Sequence, residues 1–161
     1  MNNVLKSVQP GLALVILTLL FGIVLGITFG ANEDAYQTWI ADGIAAHPTL
    51  HDEHSKEEIW RFVQRAHFHA EGIAAFSLGL ILVVGLSGLR ARLKKISSIL
   101  IGLGGFYSLA WLNAFLLAPS MGADAALESL STQMFVYIGV GGLLSGLLIL
   151  VLHLLFDFGK D

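Results

Sequence analysis

The stretch AHFHAEGIAAFSLGLILVVGLSGL, residues 66–89, decides how this chain is built. It is apolar for long enough to cross a hydrocarbon layer, which takes about 20 residues of helix. Yet His67, His69 and Glu71 stand just inside its first turn and a half. Ionisable groups inside an apolar segment are costly to keep, so they mark a functional site. Arg65 precedes the run, and Arg90, Arg92, Lys94 and Lys95 close it off.

Three further apolar runs flank this one: Gly11 to Ala31, Ile96 to Ala118 and Ser131 to Phe156. Composition agrees with that pattern. The 161 residues are 55% hydrophobic and 13% charged, about half the charge of an ordinary soluble domain. The expected fold is an all-α integral membrane protein, one domain over residues 1–161. Four antiparallel transmembrane helices cover about 11–31, 66–89, 96–118 and 131–156, with a helical extracytoplasmic segment over 32–64. A cleaved signal peptide is the competing reading of the first run. Signal peptides have a shorter apolar core and a small-residue cleavage site, which Phe29-Gly30-Ala31-Asn32 matches poorly, so a permanent anchor is expected.

Charge orients the bundle. Lys6, the Arg90 to Lys95 cluster and Lys160 make six of the nine basic residues, whereas the 120–130 connection has none. By the positive-inside rule both termini and the 90–95 turn are cytoplasmic. The 32–64 segment, with seven acidic residues and three of the six histidines, then faces outward. In a bacterium that is the periplasm, and the expected home is the inner membrane. A net charge of −3 without a clustered basic face excludes a nucleic-acid footprint. With no cysteine there is neither a disulfide framework nor a thiolate metal site. No Walker loop, GxSxG elbow or HExxH pair is present.

Within the outer segment, His47-Pro48-Thr49-Leu50-His51-Asp52 reads as a helix start, Thr49 and Asp52 forming a reciprocal capping box. Glu57 and Arg61, four apart, are expected to pair on the wet face. Gly22, Gly26 and Gly30 form a doubled GxxxG that permits close helix contact.

At about 1.5 Å of rise per residue, Glu71, Asn113 and Tyr137 reach one depth, roughly 8–9 Å below the outer boundary. On a step of about 100° per residue, His67 and Glu71 border the small-residue face of their helix, while His69 lies about 200° away. An imidazole and a carboxylate at i, i+4 suit a transition metal such as Zn, Cu, Fe or Mn. Completing ligands are expected from Glu33, Asp34, His69, His51 or His54, with Asn113, Gln133 and Tyr137 around the site as orienting side chains. The competing reading is a structural pair, since polar side chains serve as interhelical glue in membranes.

A haem held by two histidines needs imidazoles at one depth on different spans. His153 lies toward the far end of the last span, where Asp157 is its expected partner, which argues against that arrangement. Glycines 102, 105, 139, 142 and 146 provide close-approach surface, chiefly for internal packing, with docking of other subunits or a second copy as the alternative. The leading expectation is therefore a small inner-membrane protein binding a transition metal or redox cofactor at its periplasmic end. The alternatives are an accessory or assembly subunit of a larger respiratory or oxidase-type membrane complex, and a proton or small-solute carrier.

Overall fold

A computed structural model describes residues 2–160, with side chains from residue 5 onward. Among them the chain is entirely helical apart from turns: α1 (Asn2–Ala31), α2 (Glu33–Ala46), α3 (Ser55–Leu86), α4 (Ala91–Gly102), α5 (Phe106–Met121), α6 (Ala123–Glu128) and α7 (Leu130–Phe156). Short 3-10 turns occupy Pro48–Leu50 and Leu103–Gly105, the second joining α4 to α5 in one continuous rod. Four stretches are long and apolar enough to cross a membrane: Leu5–Ala31, Ser55–Leu86, Ala91–Met121 and Leu130–Phe156.

The α4–α5 rod is the centre of the bundle. Its lower half packs on α1 and α7, and its upper half on α3 and α7, while α1 also lies along α3. Small residues bring these axes together. A Cβ at Gly102 would sit 2.9 Å from Leu14 Cβ, and one at Gly142 2.9 Å from Leu103 Cβ. Such distances leave no room for a methyl group. Gly105 lies against Thr18, and Gly146 against Ile101, in the same manner. The glycines expected to serve either internal packing or other subunits are thus used inside the chain. Two cores result. One joins Leu25, Ile40, Phe62, Ala66, Phe115 and Ala126; the other joins Val8, Val15, Ile81, Leu89, Ile101 and Leu150.

Residues near both ends meet the basic turn. Leu89 forms an isolated antiparallel bridge with Lys160, and Arg90 N–H donates to Gly159 O at 3.0 Å. Val8 packs in the same core as Leu89. The Lys94 ammonium donates to Gly85 O at 2.8 Å, satisfying a carbonyl in the last turn of α3.

Two local expectations are corrected. The helix does not start at Thr49: Pro48–Leu50 is a 3-10 turn, His51 is extended, and α3 begins at Ser55. The N-cap position, His54, has no side-chain cap, but just ahead of it Asp52 and Ser55 bond each other. Asp52 Oδ1 accepts from His54 N–H and Ser55 Oγ, each at 2.9 Å, and Ser55 Oγ accepts from Asp52 N–H. These bonds hold the Asp52 carboxyl below its ordinary pKa, the Ser55 hydroxyl contributing most. Second, α5 does not stop at Pro119 but continues to Met121, closing at Gly122, whose φ of 86° suits glycine. The helical segment expected over 32–64 includes a helix of its own over residues 33–46. Tyr36, Trp39, Ile40, Gly43 and Ile44 recur at helical spacing and lay α2 across the bundle end, with Ile40 wholly buried. Trp39 and Tyr36 stack on Phe115, and Tyr36 also meets Trp60. The Glu57–Arg61 pair forms as expected.

Candidate functional site

Four residues apart on α3, His67 and Glu71 share the side of the helix that α1 crosses. The crossing is close because α1 presents glycine there. A Cβ on Gly26 would lie 2.6 Å from His67 Cε1, and one on Gly22 would lie 2.9 Å from Ala70 Cβ and 3.0 Å from Glu71 Cγ. This approach lets His67 Nδ1 bond to Gly22 O at 2.9 Å. A carbonyl only accepts, so Nδ1 carries the hydrogen. The other ring nitrogen, Nε2, stands 3.6 Å from Glu71 Oε2. Phe29 meets the imidazole edge-on at 5.3 Å, and Phe68 lies at 5.2 Å. The His67 side chain retains 16% exposure and that of Glu71 41%, so the ring is sheltered and the carboxylate stands at the rim.

Two consequences follow from this geometry. Nε2 is the only ring atom that can gain or lose a proton without breaking the bond to α1. At 3.6 Å Nε2 and Oε2 lie beyond direct hydrogen-bond distance, and a proton, a metal ion or a water donating to both would satisfy these two acceptors.

His69 belongs to a different surroundings. Its Nδ1 donates to Arg65 O at 2.7 Å, and its ring meets Tyr107 at 5.0 Å and Trp111 at 5.9 Å, both on α5. The Arg65 guanidinium lies over the Trp111 ring, 4.7 Å from its centroid. The separation of His67 from His69 read from helical periodicity is therefore present, with α1 on one side and α5 on the other.

The remaining expected ligands engage elsewhere. Glu33 and Asp34 are exposed in the first turn of α2. His51 Nε2 donates to Pro119 O at 3.1 Å, tying the α2–α3 connection to α5. His54 lies 3.4 Å from Glu53 and is mostly exposed. His51 and His54 do not share a helix face, because both precede α3. Among the described residues, no group of three or more His, Asp or Glu side chains is arranged to hold a metal.

Nor do the expected orienting residues reach His67. Asn113 donates to Ser131 Oγ at 2.9 Å and to Thr132 Oγ1 at 2.8 Å, joining α5 to α7. Gln133 donates to Leu127 O at 2.9 Å, and Tyr137 is 71% exposed. Equal depth placed these residues at one level but on different sides of the central rod. The partner that does orient His67 is the Gly22 backbone, which has no side-chain signature. Only the glycine spacing on α1 hinted at it. His153 is likewise corrected: its Nδ1 donates to Phe158 O at 2.8 Å, while Asp157 pairs with Lys160.

Fold and composition together define the class, an all-helical, multi-pass membrane protein. No protein-family model, no curated protein and no solved structure matches the chain, so what the site does is argued from its geometry.

Proposed function

We propose that this is an inner-membrane proton carrier in which His67 and Glu71 form the exchanging pair at the periplasmic end. The observation that carries the reading is the fixed His67 tautomer. Nδ1–H is committed to Gly22 O, and Nε2 faces the Glu71 carboxylate. A proton on Nε2 converts two opposed acceptors into a charge-assisted pair, and Glu71, at the rim, is the group that can meet water. Ionisable side chains within spanning helices characteristically serve as proton relays. The basic residues of the 90–95 turn, beside the carboxy-terminal residues, support an orientation with both termini cytoplasmic.

A second reading, a transition-metal site, is favoured by one observation. Metal-ligating histidines commonly donate their other ring N–H to a backbone carbonyl, as His67 does. Two ligands about 2.1 Å from one ion at a tetrahedral angle lie about 3.4 Å apart, close to the 3.6 Å between Nε2 and Oε2. The further ligands would then come from water or from another subunit of a membrane complex.

Proteoliposomes carrying an internal pH dye test the first reading. The wild type is expected to relax an imposed pH gradient faster than empty vesicles, and Glu71→Gln and His67→Ala to lose at least about tenfold of that rate. A wild-type rate equal to that of empty vesicles refutes proton exchange. Stoichiometric metal in the purified protein, lost in His67→Ala, would replace it with the metal reading.

A further inference from the structure

On the opposite side of α3 from the His67–Glu71 pair, the helix surface has a charged head at Arg65, beside α5, and a shallow apolar groove left open at Gly72 and Gly79. Arg65 is the last residue before the apolar run, which puts it at the boundary between water and hydrocarbon. Trp111 of α5 stands across from it, with Tyr107 one turn further in and edge-on to Trp111. The Arg65 guanidinium rests on the Trp111 face, which fixes its plane but uses none of its N–H donors. No carboxylate among the described residues pairs with it, unlike Arg61 one turn above, which is paired with Glu57. One turn below, the His69 ring lies against Tyr107, whose hydroxyl has no hydrogen-bond partner among the described residues.

The same face of α3 continues inward as Gly72, Phe76 and Gly79, spaced four and three apart. All three are exposed, and around Gly72 and Gly79 there is open space. An acyl chain fits such a furrow, with aromatic surface along it.

We infer that this groove binds one anionic phospholipid, its phosphodiester held by Arg65 with Tyr107 donating, and an acyl chain lying along Gly72, Phe76 and Gly79. Guanidinium matches phosphate through two parallel N–H···O bonds. An anionic head group fits better than a zwitterionic one, because among the described residues the nearby carboxylate of Glu57 is taken by Arg61 and none pairs with Arg65 to receive a choline or ammonium group. A lipid fits better than soluble phosphate, because the groove runs on into the apolar face.

Native mass spectrometry tests this on the full chain in detergent, incubated with equimolar phosphatidylglycerol and phosphatidylcholine of matched acyl chains. Wild type is expected to retain phosphatidylglycerol about fivefold over phosphatidylcholine, the advantage of about one basic residue at an anionic surface. Arg65→Gln should bring the ratio to unity, and Arg65→Lys, which keeps the charge but loses the two-bond fork and the stacking on Trp111, should leave about half of the preference. Glu71→Gln, on the other side of α3, should leave it unchanged. Tyr107→Phe, which removes only a hydroxyl, should lower it about twofold and serves as the readout if Arg65→Gln fails to fold. An unselective wild type, or a preference that survives both substitutions, overturns the proposal. Loss of the preference in inorganic phosphate would assign the groove to soluble phosphate and overturn the lipid.

Discussion

Replacing Gly26 with alanine tests the linkage between helix packing and the site. The new Cβ would stand 2.6 Å from His67 Cε1 and 2.8 Å from Nδ1. Ordinary carbon contacts begin at about 3.5 Å, so the ring or helix α1 must retreat by about 1 Å. That retreat lengthens the 2.9 Å bond from His67 Nδ1 to Gly22 O beyond useful range. Losing an interhelical bond costs about 0.6–2 kcal/mol, and overpacking adds about 1–3 kcal/mol. Alanine's better helix propensity returns about 1 kcal/mol. The sum is a net destabilisation of about 1–4 kcal/mol. Gly30→Ala is the matched control, since nothing lies within 4 Å of its Cβ and only the propensity gain applies. Reversible unfolding in mixed micelles measures both variants. Ring 15N shifts of His67 report whether Nδ1 still carries the hydrogen. Equal stability of Gly26→Ala and Gly30→Ala, with an unchanged His67 tautomer, would refute the reasoning.

Other outcomes follow from the same contacts. Gly139→Ala would place a Cβ 2.5 Å from the Tyr107 backbone nitrogen, which cannot swing aside, so a loss of about 1–3 kcal/mol in micelle unfolding is expected. Gly141→Ala, in open space, should instead gain about 1 kcal/mol from helix propensity. Ile40→Ala empties a wholly buried position under α2 and should cost about 2–5 kcal/mol, read as faster amide exchange over residues 33–46. Asp52 supplies the pH dependence. Its folded pKa is depressed by the Ser55 hydroxyl and the His54 amide, so its contribution is fully present above the ordinary aspartate value of about 3.9. That contribution is lost as pH falls through the lower folded value. Protection of amides at the start of α3, relative to their intrinsic exchange rate at each pH, should fall only under that acid condition in the wild type, and already at neutral pH in Asp52→Ala.

Much of the site was legible because the underlying signals are local. Periodicity separated His67 from His69, and the i, i+4 spacing of His67 and Glu71 is a property of any α-helix. What failed was reasoning by depth. Asn113 and Tyr137 lie level with Glu71 on a ruler of 1.5 Å per residue, but a ruler carries no information about direction. Asn113 turned out to tie α5 to α7, and Tyr137 to face outward. The start of α3 was misplaced by one turn because two candidate caps lie close in sequence. Thr49 follows a proline and enters a 3-10 turn, while Asp52 and Ser55 satisfy each other in both directions. Helix α2 falls within the helical segment expected over 32–64, and its apolar residues Tyr36, Trp39, Ile40, Gly43 and Ile44 recur at helical spacing.

Sequence alone determined that the protein is helical, has four apolar segments of spanning length, and carries His67 and Glu71 on one helix face. Those properties follow from hydrophobicity and helical repeat, which act along a single segment. Tertiary structure alone decided what each polar side chain touches. Which neighbour lies across a helix depends on where glycines let two backbones approach, and at Gly22 and Gly26 that approach supplied the carbonyl that fixes His67. It also decided that the two histidines of one motif look toward different helices, His67 to α1 and His69 to α5.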